Sequence, residues 1–67
     1  MNYTIKKDNI IISTFNKKSN QEAKKYFNNY ITKNYNLFLG CELNLYNDKK
    51  LLSNAILAKK LYQAKYL

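Results

Sequence analysis

Ten of the chain's twelve lysines stand in pairs, at 6–7, 17–18, 24–25, 49–50 and 59–60, with no arginine or histidine beside them. Four carboxylates oppose them (Asp8, Glu22, Glu42 and Asp48), which leaves a net charge of +8 on 67 residues. A surplus this dense attracts polyanions and acidic protein surfaces. Lysine draws phosphate as a point charge and lacks the guanidinium fork that reads guanine edges. Contact with nucleic acid through lysine alone is therefore made to the backbone, is salt-sensitive and is weakly specific. Composition offers a second origin for the charge. Lys, Asn, Tyr and Ile fill more than half of the chain, and their codons are rich in A and T, so coding bias alone produces many lysines.

Other chemistries are excluded or disfavoured. Without histidine there is no Ser-His-Asp or Cys-His nucleophilic set and no histidine-based metal centre. The single Cys41 cannot form an internal disulfide. It falls among alternating leucines, where a thiol behaves as a small core residue. The four acids are scattered, and Glu22 and Asp48 are explained by helix ends, so no carboxylate pair is expected to work as acid and base. The one glycine, Gly40, cannot build a phosphate loop. The chain is expected to be no enzyme, to carry no cofactor and to bind no metal. No motif matches a particular family.

The elements that must position the charge follow from patterning. Tyr3–Lys6 and Ile10–Phe15 are rich in β-branched residues, and Lys7-Asp8-Asn9 between them supplies turn chemistry, which predicts a hairpin. Ser19 with Glu22 three residues on is a capping box, and Ala23, Tyr26, Phe27, Tyr30 and Ile31 form the apolar stripe of a core-facing helix. Residues 36–46 alternate, with Leu37, Leu39, Cys41, Leu43 and Leu45 on one side, predicting a third strand. A final helix over residues 49–66 follows from the stripe Leu51, Ala55, Ala58, Tyr62 and Tyr66, capped by Asn47 or Asp48. Lys49 and Lys50 would then oppose the helix dipole, which helix stability does not ask for.

The expected fold is α+β in the order β-β-α-β-α, a three-stranded, mainly antiparallel sheet with two helices packed on one face. Residues 1–67 would form one compact domain. The third strand is preferred beside the first, giving the order 2-1-3. The longest apolar runs are three residues, Ile10–Ile12 and Leu37–Leu39, too short to span a membrane, and the N-terminus lacks a signal-peptide layout. A cytoplasmic location is expected, and no membrane partner.

The leading expectation is a small interaction or inhibitor protein of the kind phages and mobile elements encode. It would engage an acidic surface of a nucleic-acid-handling complex through the last helix, with charge from Lys49, Lys50, Lys59 and Lys60 and apolar contact from Leu57 and Leu61. The alternative is direct, low-specificity binding of DNA or RNA through Lys24, Lys25 and Lys33 with Phe38 and Tyr46 as aromatics on an open sheet face. A homodimer built on the last helix is compatible with both.

Overall fold

The computed structural model of the chain describes residues 1–57. Strand β1 (Asn2–Lys7) turns into β2 (Ile10–Asn16), helix α1 (Asn20–Lys33) follows, a 3-10 turn spans Tyr35–Phe38, and β3 (Glu42–Asn47) turns into β4 (Lys50–Ile56). The four strands form one antiparallel sheet in the order β2-β1-β3-β4.

The first hairpin forms where the turn residues predict it. Asp8 and Asn9 take φ of 50° and 71°, the left-handed pair that matches strand twist, and both residue types tolerate that region. The helix starts at Ser19, whose hydroxyl accepts the Glu22 amide at 3.2 Å. Its stripe lands as expected: Ala23 and Phe27 are buried, and Tyr26, Tyr30 and Ile31 are half-buried against the core. Tyr3 and Ile5 of β1, Leu43 and Leu45 of β3 and Leu57 complete that core. The Tyr3 hydroxyl donates to Asn20 Oδ1 at 2.9 Å, which ties the sheet to the start of α1.

Three expectations are corrected. The third strand does not run through 36–46. Tyr35–Phe38 form the 3-10 turn, Gly40 sits at φ 82°, and only Glu42–Asn47 are strand. Cys41 is accordingly a half-buried residue leading into β3, not a mid-strand core position. Leu37 and Leu39 keep the alternation of Leu43 and Leu45 in the sequence although they lie in the 3-10 turn and at its end.

The helix expected from 49 onward is, over Lys50–Ile56, the strand β4, so the described fold has four strands and a single α-helix. Its part beyond residue 57 lies outside the described residues. The strand was concealed by a bulge. Leu45 pairs with Ser53 and Tyr46 with Leu51, leaving Leu52 as the extra residue, and this breaks the period-two pattern. Lys49 and Lys50 oppose no helix dipole, because they belong to the β3–β4 turn and the start of β4.

The two hairpins are one motif used twice. The motif of β1–β2 recurs forty positions on in β3–β4, with the same succession of buried, half-buried and exposed residues. Both hairpins carry the bulge at the equivalent place, after Ile5 and after Leu45. Ile5 pairs with Leu45 at the centre of the β1–β3 interface, flanked by Thr4 with Tyr46 and Lys6 with Asn44. The outer bonds match as well: the Asp8 amide donates to the Glu42 carbonyl at 3.4 Å and the Asp48 amide to the Asn2 carbonyl at 3.3 Å. A pseudo-twofold axis therefore passes through the sheet between Ile5 and Leu45.

Candidate functional site

The sheet has two unlike faces. On the helix side Tyr3, Ile5, Leu43 and Leu45 meet Phe15, Ser13, Ala55 and Ser53 across the strands. The other side carries Asn2, Thr4, Lys6, Thr14, Asn16, Glu42, Asn44, Tyr46 and Asn54, together with the exposed Ile11, Leu51 and Ile56. Many of the polar side chains on that face are occupied with one another. Asn16 donates to Asn2, Asn54 donates to both Asn44 and Glu42 at 2.6 Å, and the Lys6 ammonium sits 4.9 Å from the Tyr46 ring centre. A surface depression of about 430 Å³ lies beside Asn2, Thr14, Phe15 and Asn16, none of them charged.

The charge gathers instead along α1. A ladder of near-parallel rings runs from the sheet over the helix to the 3-10 turn: Tyr3, Phe15, Tyr26, Tyr30 and Phe38. Successive ring centres are 5.5, 4.0, 6.5 and 6.2 Å apart. The helical repeat sets a row of polar residues, Lys25, Asn29 and Lys33, beside the row of Tyr26 and Tyr30. Two adjoining depressions follow these rows. One, about 340 Å³, is lined by Lys17, Glu22, Lys25, Tyr26 and Asn29. The next, about 190 Å³, is lined by Tyr26, Asn29, Tyr30, Lys33 and Asn34.

Tyr26 and Asn29 belong to both, so the depressions form one trough with three lysines against one carboxylate. Lys17 arrives from the loop after β2 and holds its ammonium 5.3 Å from the Tyr26 ring centre, a cation–π approach. Chemically the trough can hold an anion beside a flat apolar group. Among the described residues no cluster of His, Cys, Asp and Glu could hold a metal ion, and no helix is long and apolar enough to cross a membrane.

The sequence-based sites fare unequally. Leu57 is 2 % exposed and belongs to the core, so it offers no docking contact. Its backbone extends the β3–β4 pairing, accepting from the Gly40 amide at 2.7 Å and donating to the Cys41 carbonyl at 3.0 Å. Lys49 and Lys50 lie at the hairpin turn, and Lys59, Lys60 and Leu61 lie outside the described residues.

Of the alternative set, Lys25 and Lys33 line the trough, while Lys24 is exposed without lining it. Phe38 is not on the sheet; it backs Tyr30 at 6.2 Å. Tyr46 is on the opposite sheet face, beside Lys6, so the two aromatics form no common platform. Sequence reasoning missed Lys17, Asn29 and the exposed flank of Tyr26 and Tyr30. The neighbouring rows Lys25–Asn29–Lys33 and Tyr26–Tyr30 were a legible signal for all but Lys17. Compared with models of protein families, with characterised proteins and with solved structures, the chain gives no match.

Proposed function

We propose that this protein binds single-stranded nucleic acid along α1, with lysines tracking the phosphates and tyrosines receiving the bases. The observation that carries this reading is the trough itself, in which Lys17, Lys25 and Lys33 bracket the half-buried rings of Tyr26 and Tyr30. A basic groove with aromatic platforms is how sequence-tolerant single-strand binding is built, because every base has a face to stack. A paired duplex keeps its base faces covered, so it gains only the phosphate contacts. The reading takes up the direct-binding alternative and moves its aromatics from the sheet to the helix. The protein-partner reading counted on Leu57 and Leu61 as apolar contacts; Leu57 is buried, and Leu61 lies outside the described residues.

Fluorescence anisotropy with labelled 12-mer DNA and RNA tests the proposal. Three neutralised phosphates give a log–log salt slope of about −2 for a single strand, so a fourfold rise in salt weakens binding roughly 20-fold. An unlabelled duplex of the same length is expected to compete poorly. Absence of binding at low salt, or equal competition by the duplex, overturns the single-strand reading. Capture of an acidic protein in place of nucleic acid points back to a protein partner.

A further inference from the structure

We infer that the smaller depression, between Tyr26 and Tyr30, is a subsite for one base and that it prefers adenine; the inference rests on the single-strand reading above. The ring centres of Tyr26 and Tyr30 are 6.5 Å apart, and the rings lie within 17° of parallel. Stacked nucleotides rise about 3.4 Å each, so two stacking steps span nearly the same distance. By contrast, Phe15 meets Tyr26 at 4.0 Å, which leaves no room between those rings. Tyr30 and Phe38 are spaced almost as widely, at 6.2 Å, but it is Tyr26 and Tyr30 that both line a cavity of about 190 Å³. Tyr26 is braced by Phe15, whose ring centre is 4.0 Å away.

The remaining lining gives the subsite its selectivity. Asn29 is exposed and makes no side-chain hydrogen bond among the described residues, so both its donor and its acceptor are free for a base edge. An asparagine amide matches the N6–H and N7 groups of adenine in a bidentate pair. Asn34 gives its Nδ2 to the Tyr30 carbonyl at 2.9 Å, which leaves its side-chain oxygen as an acceptor and favours a base carrying an exocyclic amine. Lys33 stands in the same lining to take the adjoining phosphate. Uracil has the smaller stacking surface and no exocyclic amine, so it is the natural counter-ligand.

The test compares labelled rA12 with rU12 on the intact protein, then repeats the pair with Asn29→Ala. Wild type is expected to favour rA12 by on the order of 10-fold, within the range of one bidentate base contact. Asn29→Ala removes an exposed side chain and is expected to bring the ratio close to one while rU12 affinity stays within about twofold. A single 2-aminopurine in the adenine strand reads stacking directly, and its fluorescence is expected to be quenched on binding and restored by Tyr30→Ala. Circular dichroism checks that this variant keeps its fold, and Tyr30→Phe, which keeps the stacking ring, is expected to retain the quench. Equal affinity for rA12 and rU12, or an unquenched probe on a bound strand, overturns the subsite and leaves the single-strand reading standing. Failure to bind either strand overturns both.

Discussion

Replacing Leu57 by aspartate separates a core residue from a docking residue. Leu57 is 2 % exposed and packs in the cluster of Tyr3, Ile5, Ala23, Phe27, Leu43 and Leu45. Truncating a buried leucine to alanine costs about 2–5 kcal/mol in lost transfer energy and cavity. A carboxyl group at that place adds a further cost of about 1–3 kcal/mol even when it enters protonated, because no partner awaits it. A core of this size supplies a net stability of only about 3–5 kcal/mol.

The sum, about 3–8 kcal/mol, meets or exceeds that margin, so Leu57→Asp is expected to lose its cooperative thermal transition and its native circular dichroism at 25 °C. Leu57→Ala, at about 3 kcal/mol, is expected to melt lower by roughly 12–24 °C, taking about 4–8 °C per kcal/mol for a small domain. Leu51→Asp serves as the control: Leu51 is 51 % exposed, so the change is expected to cost less than about 1 kcal/mol. A Leu57→Asp protein that melts within about 4 °C of the parent would refute the placement of Leu57 in the core.

Other expectations follow from single contacts. Ser19→Ala removes the acceptor for the Glu22 amide and is expected to cost about 1 kcal/mol in urea unfolding. Asn20 accepts from both the Tyr3 hydroxyl at 2.9 Å and the Asn47 amide at 3.0 Å. A cycle of Tyr3→Phe and Asn20→Ala is therefore expected to show a coupling above about 0.5 kcal/mol. Ile11 is 58 % exposed on β2, an edge strand of the described sheet. Ile11→Lys is expected to leave stability within about 0.5 kcal/mol and to lower self-association, read by light scattering at high concentration.

What was legible in the chain divides by kind of signal. The first hairpin and α1 carried local chemistry: two residues suited to the turn, a capping serine and an uninterrupted apolar stripe. In β3 the buried pair Leu43 and Leu45 was legible, but its beginning was not, because Leu37 and Leu39 preserve the alternation through a 3-10 turn. Only Gly40, at φ 82°, marked the break. In β4 the bulge at Leu52 places two leucines in succession, which reads as helix when apolar residues follow at helical spacing.

The adjacency of β3 to β1 was the preferred arrangement and is the one found, although the crossover alone allows a return beside either strand. The duplication went unseen because identity between the hairpins is confined to two positions, Asp8 with Asp48 and Ser13 with Ser53. Elsewhere some pairs are kin in type, as with Ile5 and Leu45 or Ile12 and Leu52, and others, such as Ile10 and Lys50, are not. For the trough, Lys25 and Lys33 could be read from the helix, whereas Lys17 depends on where a loop folds back onto Tyr26.

The duplication also separates lysines that the fold ignores from lysines that a site uses. Between the hairpins the core positions carry over, but the charges do not: Lys6 faces Tyr46 in the comparison, Lys7 faces Asn47, and Lys49 and Lys50 face Asn9 and Ile10. At those solvent-facing positions the sheet accepts lysine or its absence alike, as coding bias would leave it. On α1 the spacing is organised, with Lys25 and Lys33 eight residues apart on one side of the tyrosine row and Lys17 over its first ring. Composition can set how many lysines exist while the trough determines which of them matter.

The two origins differ in a measurable way. Lys49→Gln with Lys50→Gln and Lys25→Gln with Lys33→Gln remove the same net charge. Were attraction a property of the whole molecule, both pairs would weaken binding of a single strand equally. Charges separated by more than a screening length of about 8 Å at physiological salt act only on what lies beside them. The helix pair is therefore expected to weaken binding about tenfold or more and to flatten the salt slope by about 1.4, while the turn pair changes both little. Equal losses from the two pairs would return the lysines of α1 to the status of composition.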